Sequence, residues 1–211
     1  MTWDDVRRAI QMGFDIGAHT SSHAHLADLP LEEVRREIAE SNARYKSELG
    51  FIPELFAYPY GEASLNVQEA IQEAGYLAAF GQHSGVLHNF EDMFYLPRFA
   101  LNETYGAIER FRTLASSIPL IVRDITPRDM MLGDDDNPPA FGFTVDPSIG
   151  ALSTLACYAS GIGRLQLNQL GKRRIEARLP KKFSPGRHRV NCTLPAGSGR
   201  WRWFGRQFYV R

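Results

Sequence analysis

Two histidines four residues apart, in His19-Thr20-Ser21-Ser22-His23, are the residues of this chain best suited to chemistry. Side chains at that spacing fall on one face of a helical turn. Neutral imidazole is the commonest protein ligand for zinc and similar divalent ions, and two at this spacing can share one ion. Thr20, Ser21 and Ser22 are small and polar, so the backbone can turn between them and water can approach. The bare pattern also fits two loop histidines with ordinary hydrogen bonds. Its place favours chemistry. The apolar run Phe14-Asp15-Ile16-Gly17-Ala18 before it reads as a strand, and α/β folds gather their chemistry where strands end.

The elements that position the pair follow from periodicity and punctuation. Residues 3–12 read as a helix capped by Thr2, with Asp4 and Asp5 at its positive end and Gly13 after it. Pro30 opens a second helix, in which Leu31, Val34, Ile38, Tyr45 and Leu49 recur at helical spacing before Gly50. Leu55 to Tyr58 reads as a strand running into the turn Pro59-Tyr60-Gly61. A helix over 64–74, strands over 76–81 and 94–99, and a helix over 104–116 complete the alternation. Short connections between strands and helices predict parallel β/α units. The polar turns then gather His19, His23, Tyr60, Gln82, His83 and Arg98 on one edge.

After Pro119 the helical period ends. Short apolar runs alternate with Gly, Pro, Asn and Asp clusters, giving strand candidates at 140–145, 151–158, 164–170, 173–179, 187–194 and 200–210. That pattern predicts an antiparallel β-sandwich, with the domain boundary near residue 118, so that domains span 1–118 and 119–211. Trp201 and Trp203 alternate along the last strand and share one face. They read as sandwich core in preference to a stacking platform for sugar rings. Cys157 and Cys192 sit in two strand-like runs, as buried thiols or as a disulfide between strands.

Lys and Arg number 24 and Asp and Glu number 24, so charge alone argues against a nucleic-acid or anionic-membrane partner. An apolar share of 44% fits a globular protein, and no run approaches a membrane span. The first residues lack the basic start and apolar core of a signal peptide, and the compartment is left open.

On these residues, the N-terminal half resembles the polysaccharide deacetylases with the NodB homology domain, carbohydrate esterase family 4. His19-Thr20-Ser21-Ser22-His23 fits their H-[S/T]-x-x-H motif, and Ala57-Tyr58-Pro59-Tyr60-Gly61 is similar to their x-x-P-[Y/F]-G motif. The resemblance covers about residues 1–105. It implies a (β/α) barrel that removes acetyl groups from an acetylated polysaccharide or oligosaccharide. It implies a divalent metal, zinc by preference, on His19 and His23, with the Tyr60 backbone N–H at the oxyanion. Tyr58, Pro59 and Arg98 are expected on the substrate side.

Three departures stand out. The family's T-F-D-D motif, which supplies a metal aspartate and the base, normally lies well before the histidine pair, whereas only 18 residues precede His19 here. Thr2-Trp3-Asp4-Asp5 matches it in letters but reads as a helix cap. Ala57 replaces the arginine many members carry, and Val86-Leu87-His88 fits the L-x-H acid motif only loosely. His88 and His83 are the candidates for that acid, and each reads in preference as a surface loop residue. The expected architecture is therefore α/β plus β: a barrel lacking its first strands, followed by a β-sandwich. A second copy could cover the exposed barrel edges. As given, the chain is expected to fall short of turnover; the alternative is a non-catalytic carbohydrate-binding or interaction protein derived from a deacetylase.

Overall fold

Thr2 caps helix α1 (Trp3–Gln11) in the computed structural model, which describes residues 1–211. Its hydroxyl accepts from the Asp5 N–H, while its own N–H donates to the Asp5 carboxylate at 2.7 Å. Thr2 and Arg8 hydrogen bonds hold that carboxyl below its usual range. Asp4 pairs with Arg7 at 2.7 Å. Both carboxylates thus serve the helix, as the cap reading requires.

The chain divides into two units, residues 1–81 with 92–96, and residues 82–91 with 97–211. The sequence boundary near 118 falls inside the second, because the loop 82–91 and the segment from Pro97 onward pack with it.

In the first unit, Gly50 adopts the left-handed conformation (φ 83°) that ends α2 (Leu31–Leu49). Helix α2 buries Val34, Ile38 and Ser41. Strand β1 (Leu55–Ala57) pairs in parallel with β2 (Ala78–Phe80), and α3 (Leu65–Glu73), capped by Ser64, connects them. The expected strand over 14–18 contracts to one bridge, Ala18 to Phe56. That over 94–99 contracts to a bridge from Leu96 to Phe80, because Pro97 has no N–H to continue the ladder. Phe56, Tyr58, Ile71 and Leu26, each at most 1% exposed, centre the core.

The second unit holds α4 (Ile108–Ala115), shorter than the expected 104–116, and ten strands. These are β3 (Ile118–Pro119), β4 (Val122–Thr126), β5 (Met131–Leu132), β6 (Phe141–Val145), β7 (Ala156–Ala159), β8 (Gly163–Arg164), β9 (Gln166–Leu170), β10 (Arg174–Arg178), β11 (Gly186–Pro195) and β12 (Trp201–Val210). One sheet runs β4-β6-β10-β9 and the other β3-β12-β11-β7-β8, with β5 added beside β12. Apolar residues of both sheets, among them Phe143, Ile175, Val190 and Phe208, join in one core. Cys157 and Cys192 face each other across β7 and β11 and form a disulfide within it.

Trp201 and Trp203 are not in that core. Phe204 and Phe208, on the other face of β12, fill it instead. Trp201 is exposed, and the Trp203 ring N–H donates to Asn191 Oδ1 at 3.3 Å. The far face of β12 receives the loop 82–91. A Cβ on Gly205 would lie 2.2 Å from the Ser84 carbonyl oxygen, so only glycine fits there.

Candidate functional site

The histidine turn begins where Ala18 leaves its bridge to β1. The Ala18 N–H donates to Leu55 O at 2.6 Å, and the Ala57 N–H returns to Ala18 O at 3.0 Å. His19 is therefore fixed next to a single bridge to β1, where the sequence predicts the end of a full strand. Its Nδ1–H donates to the Ala57 carbonyl, which leaves the lone pair on Nε2. The Ser41 hydroxyl of α2 donates to His19 O at 2.5 Å.

Glu37, also on α2, fixes Ser22 in the turn through two bonds. Its carboxylate accepts from the Ser22 N–H and the Ser22 hydroxyl, both at 2.8 Å. The His23 N–H donates to Thr20 Oγ1 at 3.0 Å, and His23 takes a left-handed backbone (φ 62°). The turn sets the His19 and His23 rings side by side, with centroids 4.8 Å apart.

Tyr60 approaches from the turn after β1. Its own backbone is left-handed (φ 57°, ψ 2°). Its ring meets His23 edge-on at 4.5 Å and stacks on His25 at 4.0 Å, 9° from parallel. His25 is itself anchored. Its Nδ1 donates to Glu62 Oε2 at 2.7 Å, and the Glu62 side chain is fully buried. His25 and Glu62 were the site neighbours the sequence left unmarked.

The structure brings His19, His23 and Tyr60 together and places the other expected residues elsewhere. Tyr58 is 0% exposed, and its hydroxyl donates to Phe94 O at 2.8 Å. Burial pushes its phenol well up. It is a core residue beneath the turn and has no surface to offer a substrate. Pro59 is buried beside it. Arg98 belongs to the second unit, where its backbone N–H donates to His83 O at 3.0 Å.

The two late histidines also differ from the expected surface residues. His83 is buried, and burial with Arg206 and Arg189 pushes its imidazole down to about 3. It is neutral at neutral pH. The His88 side chain is 6% exposed, with Nε2 3.0 Å from a Glu91 oxygen. The Phe90 N–H donates to His88 Nδ1 at 3.2 Å.

The donor set suits a divalent ion in part. Two imidazoles lie side by side, one with its tautomer fixed by a carbonyl, as metal-ligating histidines commonly are. No third His, Cys, Asp or Glu joins them.

Residues 1–79 match the family model described as polysaccharide deacetylase. Among solved structures the chain is similar to the deacetylase PplD of Streptococcus pyogenes in complex with acetate. The identity is 17% over 50% of this chain and 46% of that one, with a TM-score of 0.47. It is also similar to IcaB from Ammonifex degensii (20% identity, 54% and 52% covered, TM-score 0.45). A polysaccharide deacetylase from Bacillus cereus gives 19% identity, 54% and 36% coverage and a TM-score of 0.48. The matched region spans about half or less of these proteins. No curated sequence matches the chain. No helix is long and apolar enough to cross a membrane.

Proposed function

We propose, from the polysaccharide deacetylase match over residues 1–79, that this chain carries the histidine pair and the oxyanion turn of a metal-dependent carbohydrate deacetylase. The observation that carries the reading is the meeting of His19, His23 and Tyr60 beside the Ala18–Phe56 bridge and the turn after β1. His19 and His23 would hold a divalent ion, with zinc the first candidate. When bound, such an ion polarises the acetyl carbonyl of the substrate. The protein's part is to hold His19 in one tautomer through Ala57 O and to fix the turn through Glu37 and Ser41. Tyr60 would donate its backbone N–H to the oxygen on which charge develops during attack. No carboxylate joins the pair, so neither a third ligand nor a base is assigned among these residues. The substrate class is an acetylated polysaccharide or oligosaccharide. We read the first unit as part of a (β/α) barrel and the two sheets of the second as a β-sandwich.

That missing carboxylate favours a second reading, a carbohydrate-binding protein of deacetylase descent without turnover. Acetate release from N- and O-acetylated oligosaccharides, with added zinc or cobalt, separates the two. The deacetylase reading predicts release by the wild-type chain that His19→Ala abolishes. No release above the metal-only control would contradict it.

A further inference from the structure

Tyrosine is strained in the left-handed region and persists there only where its surroundings over-determine it. Below Tyr60, the turn is closed by the Gly61 N–H on Tyr58 O (2.9 Å) and the Glu62 N–H on Pro59 O (3.1 Å). Tyr95 adds its hydroxyl to Gly61 O at 3.0 Å. Above it lies the His25 ring, nearly parallel at 4.0 Å. That ring is held by Glu62, two residues beyond Tyr60, through the 2.7 Å bond to Nδ1. Taking a carboxylate fully out of water is costly unless it is paired and hydrogen-bonded. Glu62 is nonetheless buried at this spot, and its partner is the residue lying flat on Tyr60.

We propose that His25 and Glu62 are positioning residues that clamp the Tyr60 turn and so aim its backbone N–H. The consequence for turnover rests on the deacetylase reading above. The clamp joins two turns 37 residues apart in sequence. Glu62 sets the plane of the His25 ring, and the Tyr60 ring is caught between the face of His25 and the edge of His23. The ring is tied to its own Cα, so fixing it resists relaxation of φ to negative values. That relaxation would rotate the peptide and turn the N–H away.

The test is amide hydrogen exchange on the full chain, comparing wild type with His25→Ala and His25→Asn. The Asn Nδ2 occupies the place of the imidazole Nδ1 and keeps a donor to Glu62 without the ring. In His25→Ala, the Gly61 and Glu62 amides should exchange about tenfold faster. His25→Asn should recover part of the protection. The Ala57 amide, bonded across to Ala18, should not change. Unchanged Gly61 and Glu62 amides in His25→Ala, or equal acceleration at Ala57, would overturn the clamp. In the acetate assay, His25→Ala should lower kcat about tenfold and leave KM within about twofold. A rise in KM at constant kcat would also overturn it. If the wild type releases no acetate, the deacetylase reading fails, while exchange still decides the clamp.

Discussion

His23 and Tyr60 are the two non-glycine residues of the first unit with positive φ, and their rings meet edge to face at 4.5 Å. Each conformation alone is unfavourable by about 1–3 kcal/mol. Each turn is closed by its own hydrogen bonds, and the contact joins them. Strain of this kind concentrates at functional sites, which gives the contact a meaning beyond packing.

Glu37 lies outside the expected ligand set but anchors it. Its two bonds to Ser22 fix the turn between the histidines. Glu37→Ala should weaken divalent-metal binding by about tenfold, as loss of outer-sphere support commonly does. Stability should fall by about 1 kcal/mol. Calorimetric titration with zinc, alongside urea unfolding, checks both. Unchanged affinity would show that Glu37 does not organise the pair.

His83 makes a pH prediction. Its folded value of about 3 lies below the ordinary 6.5. The unfolded chain therefore binds a proton here that the folded chain does not, between those two values. This stabilising contribution is complete above 6.5 and is lost as pH falls towards 3. The slope from this one group is about 1.4 kcal/mol per pH unit. Urea unfolding of wild type and His83→Gln between pH 4 and 7 should differ in slope by about that amount. Parallel curves would contradict the assignment.

The Cys157–Cys192 disulfide closes a loop with a sequence separation of 35 inside the second unit's core. Loop-closure entropy for that length gives about 3–4 kcal/mol of stabilisation. Cys157→Ala with Cys192→Ala should lower the unfolding free energy of the second unit by that order. Thermal melting of the two forms, each without reductant, measures it.

The legible parts of the sequence were the local ones. His19, His23 and Tyr60 stand in short contiguous patterns, and the structure brings those three together. The six later strand candidates each correspond to an observed strand, because alternation and turn residues bound them. Strand β4 was missed because its sequence, Val-Arg-Asp-Ile-Thr, buries only Val122 and carries two charges. The alternation of Trp201 and Trp203 showed that they share a face but not which face, and Phe204 and Phe208 took the core. His83 sits among Gly, Gln and Ser, which read as a surface loop, whereas its burial comes from non-local packing in the second unit. His25 and Glu62 meet across 37 residues with no pattern to link them, and only the folded chain pairs them.

The most direct measurement is divalent-metal binding to the purified chain, by zinc titration with a His19→Ala/His23→Ala control. The account predicts one ion per wild-type chain and none in the double variant. A wild type that binds no specific ion, or a variant that binds it equally well, would contradict the metal assignment of the histidine pair.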